Sequence, residues 1–177
     1  LAERNRTQIL PQTAPRGRIY TRDLAAVATN KPSFSLIYFP GPVNSAGALD
    51  KMADSLSRRL SIPLDELRAG LYKAVKKGAP VRLAENLSSK AMFSISELKT
   101  MYSGIDIVVE ARRYYPFGNY LSHLTGYISK LDPGDWAVYG KNKNYSMDSR
   151  VGKAGLEKMY ESDLKGKDGG IYLEVDS

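Results

Sequence analysis

The sequence contains no cysteine and only one histidine, His123. The absence of cysteine excludes disulfides, cysteine-based zinc sites and thiol nucleophiles. A single histidine excludes a metal site built from several imidazoles, and we expect neither a metal nor a cofactor. Long apolar runs are also missing, because none approaches the roughly 18 residues of a membrane-spanning helix. No signal peptide is visible after Leu1, and we expect the chain to be a piece of a longer protein.

What remains is the composition of a folded, basic protein. Hydrophobic residues make up 42% of the 177 residues and charged residues 25%, as in ordinary globular domains. The net charge of +7 suits partners with negative surfaces, such as nucleic acid, anionic lipid or acidic polymers. Charge alone does not choose among them.

The apolar pattern predicts a mixture of strands and helices. Strands are predicted at residues 19–20, 25–29, 34–39, 80–87 and 105–115, and residues 1–12 are predicted to be extended. Two amphipathic helices are predicted before Gly78, which should end the second. Their expected buried faces are Leu49, Met52, Ala53, Leu56 and Leu60 in the first, and Leu64, Leu67, Leu71 and Val75 in the second.

Shorter elements follow. A helix is predicted at 94–101, where Ser94 and Glu97 have capping-box spacing, and another at 119–130. Residues 132–134 read as a turn and 139–149 as a loop. A last helix is predicted at 156–164, with an inward face of Leu156, Met159, Tyr160 and Leu164.

The candidate catalytic residues lack the partners that catalysis requires. Ser96 with Lys99, and Ser162 with Lys165, have S-x-x-K spacing, but the S-D-N and K-T-G motifs that accompany it in serine acyltransferases are missing. His123 has no recognisable partner for acid–base work. We therefore assign no catalytic residue.

Residues 112–115 (RRYY) interleave cations with aromatic rings, as nucleic-acid-binding surfaces do. On a strand, Arg112 and Tyr114 would share one face while Arg113 and Tyr115 share the other, which dilutes the patch. A basic nucleic-acid-binding domain remains an alternative of another class.

Arginines near the start of the chain and acids near its end suggest a structural contact. Arg16 and Arg22 border an extended segment, and Glu157 and Glu161 lie four residues apart on one helix face. Gly152 and Gly155 are expected to turn the chain into that helix. Because arginine forms forked bonds to carboxylates, we predict that Arg16 or Arg22 pairs with Glu157 or Glu161. Solvated surface charge is the alternative.

Three segments, in order, resemble the N-terminal pedestal (dimerisation) domain of class B penicillin-binding proteins. Residues 15–22 resemble its R-G-x-I-x-D-R-N-G motif, with Thr21 in place of the acid. Residues 113–118 and 123–127 resemble R-x-Y-P-x-G…H-x-x-G-Y, and residues 152–166 resemble a third motif, G-K-x-G-L-E. The residues that the resemblance selects as structural are Arg16, Gly17, Arg22, Arg113, Pro116, Gly118, His123, Gly126, Gly152, Gly155, Glu157, Tyr160, Glu161 and Gly166.

The motifs are most similar to the elongation type, penicillin-binding protein 2, with the division type as the alternative. The fold that this resemblance implies is α+β in two lobes. A β-rich anchor lobe (1–41 and 105–177) would carry an inserted mixed α/β head (42–104).

The resemblance also implies a function. The parent would be a membrane-anchored, serine-type peptidoglycan D,D-transpeptidase and a β-lactam target, with its catalytic domain after Ser177. The present chain would be a non-catalytic pedestal on the periplasmic face of the inner membrane, anchored by a segment outside this sequence. Its partners would be a SEDS-family glycosyltransferase and an MreC-type scaffold, and not nucleic acid. Peptidoglycan or its lipid-linked precursor would be bound by the parent.

Overall fold

The structure is a computed structural model that describes residues 6–41, 45–140, 145 and 149–175. Predictions for residues 1–5 and for most of the 139–149 loop lie outside these residues. The first elements in chain order are β1 (Arg6–Gln12), β2 (Ile19–Tyr20), β3 (Ala26–Tyr38), α1 (Ala46–Leu60), α2 (Leu64–Lys77), β4 (Val81–Ala84), α3 (Ser89–Met101) and β5 (Ile105–Tyr114). They are followed by a 3-10 helix (Gly118–Leu121), α4 (Ser122–Thr125), β6 (Ile128–Lys130), α5 (Pro133–Tyr139), β7 (Arg150–Gly152), α6 (Gly155–Met159), α7 (Glu161–Leu164) and β8 (Gly169–Val175).

Within the described residues the strands form three sheets. β1 pairs with β8, β6 pairs with β7, and a four-stranded sheet has the order β2-β3-β4 with β5 also paired to β3. Antiparallel pairing places Ile19 opposite Ala28, Leu36 opposite Ala84 and Ile128 opposite Gly152. Antiparallel strand pairs together with separate helices confirm the predicted α+β class.

The long strand β3 replaces the two strands predicted at 25–29 and 34–39. It continues through Lys31 and Pro32, which are both exposed. Proline is tolerated in a strand where its nitrogen faces solvent, because no ladder hydrogen bond is then lost. The prediction of two separate strands was wrong for this reason.

The chain divides into two compact units. Unit 1 takes its described residues from Leu1–Leu10, Ser33–Glu110 and Gly170–Ser177, and unit 2 from Pro11–Pro32 and Ala111–Gly169. Each unit therefore joins segments that are far apart in sequence. The division into an anchor lobe (1–41 and 105–177) and a head lobe (42–104) remains a prediction.

Unit 1 contains an apolar core built by α1, α2 and α3 together with residues of β3, β4 and β5. Helix α1 contacts α2 and α3, and α2 contacts β4. The predicted helix faces are buried, with Leu60, Leu64 and Val75 at their margins; the fully buried members are Leu49, Met52, Ala53, Leu56, Leu67 and Leu71. Each buried leucine contributes about 1.5–3 kcal/mol relative to exposure. Gly78 ends α2 with φ of +61°, as predicted.

Helix α3 begins earlier than predicted. Its N-cap is Ser88, whose hydroxyl accepts a hydrogen bond of 3.2 Å from the backbone N–H of Ala91. Ser94 lies inside the helix and donates to the carbonyl of Lys90. The capping-box prediction at Ser94 was wrong because the preceding residues already continue the helix, which leaves no free N–H group at that position.

The helix predicted at 119–130 ends at Thr125. Gly126 follows it with φ of +73°, and a Cβ at this position would lie 1.8 Å from the carbonyl oxygen of Ala154. Only glycine fits such a conformation and such a close approach. Ile128 therefore begins β6 instead of continuing a helix.

The turn predicted at 132–134 is the beginning of α5. The side chain of Asp132 accepts from the N–H of Asp135, and the carboxylate of Asp135 accepts from the N–H of Asp132. Pro133 occupies the first turn, where its missing N–H costs nothing. Within the described part of the chain, no helix combines the length and the apolar composition needed to cross a membrane.

Ser88 and Ser94 offer a direct test of where α3 begins. We expect Ser88→Ala to lower the free energy of unfolding by about 1 kcal/mol, because an N-cap hydrogen bond is lost. Ser94→Ala should change it by less than about 0.5 kcal/mol, since its hydroxyl bonds back to a carbonyl within the helix. Urea unfolding followed by far-UV circular dichroism measures both values. A larger effect at Ser94 than at Ser88 would contradict the assignment.

Candidate functional site

The helix predicted at 156–164 is broken into α6 and α7 at Tyr160. Its predicted inward face is correct for Leu164 but wrong for Met159 and Tyr160, which are 75% and 48% exposed. Two acids face inward instead: Glu157 is fully buried and Glu161 is 4% exposed. Apolar periodicity failed here because these carboxylates have cationic partners inside unit 2.

Those partners are Arg16 and Arg113, and we call the four residues Arg16, Arg113, Glu157 and Glu161 the arginine–glutamate cluster. The Nε of Arg16 donates to Oε2 of Glu157 at 2.5 Å. Its Nη2 donates to Oε2 of Glu161 at 2.6 Å and to the backbone carbonyl of Glu157 at 2.9 Å. One guanidinium group therefore holds both acids, and the pairing predicted for Arg16 is present.

Arg113 approaches Glu157 through the other carboxylate oxygen. Its Nε donates to Oε1 of Glu157 at 2.7 Å, and its side chain is only 2% exposed. Its Nη1 donates to the carbonyl of Gly17 at 2.6 Å. Glu157 is thus held between two arginines, an arrangement that the sequence analysis did not predict.

Two tyrosines complete the bonding of the acids. The hydroxyl of Tyr115 donates to Oε1 of Glu157 at 3.3 Å, and that of Tyr145 donates to Oε1 of Glu161 at 3.1 Å. The N–H of Gly152 donates to Oε2 of Glu161 at 2.8 Å. Every carboxylate oxygen in the cluster accepts at least one hydrogen bond, as buried charges require.

Gly152 shows how tightly the backbone passes the cluster. A Cβ at this position would lie 2.1 Å from the carbonyl oxygen of Glu157, so any side chain would displace the α6 backbone. The glycine therefore has a steric role as well as donating its N–H group. Gly166 has a similar role, because its Cβ would lie 2.6 Å from that of Ala14.

Electrostatics favour the protonated forms of Arg16 and of the two tyrosines that donate to the acids. Burial disfavours the charge on Arg16, but the hydrogen bonds and charges of Glu161 and Glu157 outweigh it and raise the pKa above its ordinary value. Burial, together with the negative charge of Glu157, raises the pKa of Tyr115 to about 12. Burial and the charge of Glu161 likewise raise the pKa of Tyr145. Each raised pKa favours the form that donates to a carboxylate.

This arrangement is structural rather than catalytic. The two acids are enclosed and neutralised by two arginines, so neither is available to a substrate. The residues of the S-x-x-K matches bond to other groups. Ser96 donates to the carbonyl of Met92 and Lys99 pairs with Asp106. In the second match, Ser162 donates to Asp163 and Lys165 pairs with Asp168. Among the described residues no group of three or more His, Asp or Glu side chains is arranged to hold a metal ion.

The remaining sequence-selected residues divide into two groups. Gly17 lies beside the cluster, its N–H donating to Leu164 at 2.7 Å, and Gly155 opens α6 with φ of +58° beside Gly126. The others are exposed on the surface of unit 2, away from the buried side chains of the cluster; they are Arg22, Pro116, Gly118, His123 and Tyr160.

The RRYY segment alternates as a strand should. Arg113 and Tyr115 face Glu157, whereas Arg112 and Tyr114 are exposed. Lys31 lies 3.3 Å from the centre of the Tyr114 ring. Two of the four side chains in this segment therefore make contacts inside unit 2.

The cluster predicts a large, local stability effect. We expect Glu157→Gln to lower the free energy of unfolding of unit 2 by about 3–5 kcal/mol, because two buried guanidinium groups lose their shared counter-charge. Trp136, the single tryptophan of the chain, lies in unit 2, and its fluorescence during urea unfolding measures the effect.

The matched control is Asp163→Asn, which removes one negative charge from the exposed side of α7. It should cost less than about 1 kcal/mol, because exposed charges contribute little. If the two variants unfold at the same urea concentration, the cluster does not stabilise unit 2.

Comparison with known proteins places this geometry in a family. The family model described as the penicillin-binding protein dimerisation domain matches residues 11–177. The chain is 29% identical, over 176 residues, to peptidoglycan D,D-transpeptidase MrdA of Salmonella typhimurium (strain SL1344), which covers 98% of this chain and 28% of that protein. The chain thus spans less than a third of the length of that relative.

Solved structures show the same fold. The complex between penicillin-binding protein 2 and MreC from Helicobacter pylori matches with a TM-score of 0.71 and 22% identity, covering 97% of this chain and 32% of the other. Penicillin-binding protein 2B from Streptococcus pneumoniae (strain 5204) matches with a TM-score of 0.66 and 19% identity, covering 97% and 38%. From the family match over nearly its whole length, this chain belongs to the penicillin-binding protein dimerisation domain family.

Proposed function

We propose that this chain is the non-catalytic pedestal of a membrane-anchored peptidoglycan D,D-transpeptidase of the elongation type. In this role it positions a serine-type catalytic domain on the periplasmic face of the inner membrane. It also contacts an MreC-type scaffold and a SEDS-family glycosyltransferase. Binding of peptidoglycan or its lipid-linked precursor belongs to the parent protein.

The arginine–glutamate cluster is the observation that carries the pedestal role. It fixes segments separated by 141 and 145 residues with buried carboxylates whose oxygens all accept hydrogen bonds. Such a network holds a backbone in one arrangement, and its acids are closed to substrate. A part that must hold a catalytic domain in position needs this rigidity more than it needs reactive groups.

The relatives support the elongation type over the division type. The curated relative described above is a peptidoglycan D,D-transpeptidase, MrdA, and one structural relative was solved as a complex with MreC. An MreC-type partner for this chain follows by analogy. The glycosyltransferase contact rests on the family resemblance alone.

Exposed apolar side chains in unit 1 are the candidate scaffold-binding surface. Phe93 and Met101 on α3 are 76% and 69% exposed, and Tyr72 on α2 is 41% exposed. Large apolar side chains on a folded surface often mark contacts with another protein. Aromatic residues also contribute most to such interfaces.

A binding measurement tests the scaffold contact. The chain is titrated by calorimetry with the extracytoplasmic domain of an MreC-type scaffold from the same bacterium. We expect saturable binding that Phe93→Ser weakens by about 30-fold, which corresponds to the roughly 2 kcal/mol of an aromatic hot spot. The matched control is Val138→Ser in unit 2, which removes a side chain that is 71% exposed and should leave binding unchanged.

If the unmodified chain does not bind at about 100 μM, the scaffold contact is refuted, because this concentration lies far above the dissociation constants of specific complexes. An equal loss in both variants would place the contact elsewhere than on α3.

A second measurement tests the non-catalytic assignment. The chain is incubated with a fluorescent penicillin and separated under denaturing conditions, beside a complete penicillin-binding protein as the positive control. We expect label on the control and none on the chain, because acylation needs an activated serine nucleophile. Covalent labelling that Ser96→Ala or Ser162→Ala removes would establish the opposite.

The alternative of a nucleic-acid-binding domain loses its best sequence feature. Arg113, the centre of the basic aromatic segment, is bonded to Glu157 and only 2% exposed. It is therefore unavailable to a phosphate group.

A further inference from the structure

The positive charge of the chain is unevenly distributed. Residues 11–32 and 111–169, the segments of unit 2, carry +6 of the total charge of +7. The arginine–glutamate cluster is neutral, so it does not contribute to this excess. The charge lies on other residues of unit 2, where it is free to attract an anionic partner.

A cleft of about 470 Å³ opens on unit 2 beside the cluster. Its lining includes the lysines Lys158, Lys165 and Lys167 and the aromatic side chain of Tyr145. Lys165 pairs with Asp168 at 3.0 Å and lies 4.5 Å from the Tyr145 ring centre. Lys158 and Lys167 are exposed and make no ion pair with any described residue.

The one acid in the cleft lining does not neutralise these lysines. Glu161 lines the cleft, but its two carboxylate oxygens accept from Arg16, Gly152 and Tyr145. Within the described part of the chain, the positive charges of Lys158 and Lys167 are therefore not paired with an acid. Among the described lining residues, an anion that enters the cleft meets two ammonium groups, and the one lining carboxylate is already bonded to other donors.

Two exposed apolar side chains line the same cleft. Val138 and Met159 belong to its lining and are 71% and 75% exposed. Trp136 and Tyr160 lie on or next to the same helices and are 37% and 48% exposed. Exposed aliphatic, tryptophan and tyrosine side chains beside lysines are the composition of protein surfaces that lie at the membrane interface.

We propose that this cleft binds the headgroup of an anionic phospholipid. Lys158 and Lys167 contact the phosphate, and Val138 and Met159 reach the boundary of the acyl chains. Nucleic acid shares the phosphate but offers no apolar layer for two exposed aliphatic side chains, so a lipid surface fits the cleft better. This inference is independent of the proposed scaffold contact, which lies on unit 1.

Vesicle binding tests the site directly. The chain is centrifuged with phosphatidylcholine vesicles that contain either no or 40% phosphatidylglycerol, about 100 mM salt being present to limit long-range attraction. We expect binding to the anionic vesicles only. The double variant Lys158→Gln, Lys167→Gln should bind about 30-fold more weakly, because each lysine near an anionic surface contributes about fivefold.

The matched control is Lys73→Gln, Lys90→Gln, which removes the same charge from exposed positions of unit 1. It should weaken binding less than about threefold. A third variant, Met159→Ser, leaves the charge unchanged and should also weaken binding, because Met159 reaches the acyl boundary. Melting curves followed by circular dichroism establish that each variant is folded.

Four outcomes would overturn the proposal. They are no binding to anionic vesicles, equal losses in the cleft and control variants, tighter binding to a single-stranded oligonucleotide than to vesicles at the same salt, and displacement from vesicles by millimolar glycerol phosphate. The last would identify a site for free phosphate rather than for a lipid surface.

Discussion

Two carboxylates that leave water must find fixed positive charges, and unit 2 is organised around that requirement. Glu157 and Glu161 are buried on the last helical segments. A buried carboxylate without a cationic partner would destabilise the fold. Arg16 and Arg113 reach them from 141 and 44 residues away, bringing the start, middle and end of unit 2 together. Lysine could not replace Arg16, because a compact ammonium group cannot span three acceptors in the plane that a guanidinium group offers.

The parts of the fold that the sequence predicted are those that local chemistry decides. Helices α1 and α2 have apolar residues at helical spacing, and Gly78 ends α2, so each pattern agrees with the burial found. The predictions failed where a distant segment decides the outcome. Gly126 ends α4 because the Ala154 carbonyl passes within contact distance, and a single sequence gives no sign of that approach.

The cluster was predictable in part for the same reason. Arginines near one end and two acids at helical spacing near the other suggested a pair, and Arg16 makes it. Arg22 carries the same charge but is exposed, because the charge of a residue does not determine whether its side chain points inward. No sequence pattern indicated that Tyr145 bonds to Glu161, since a tyrosine in a polar segment looks the same whether or not its hydroxyl donates to a carboxylate.

The spacing of the cluster also determines when unit 2 is able to form during protein synthesis. Residues 33–110, the main segment of unit 1, emerge from the ribosome before the acids that Arg16 requires. Glu161 follows Arg16 by 145 residues, which takes roughly 7–30 s at ordinary translation rates. During that interval Arg16 stays hydrated and unpaired, and unit 2 has no counter-charge to close around. The 33–110 segment of unit 1 is therefore free to fold first, whereas unit 2 and the β1–β8 pair form only after the last part of the chain has been made.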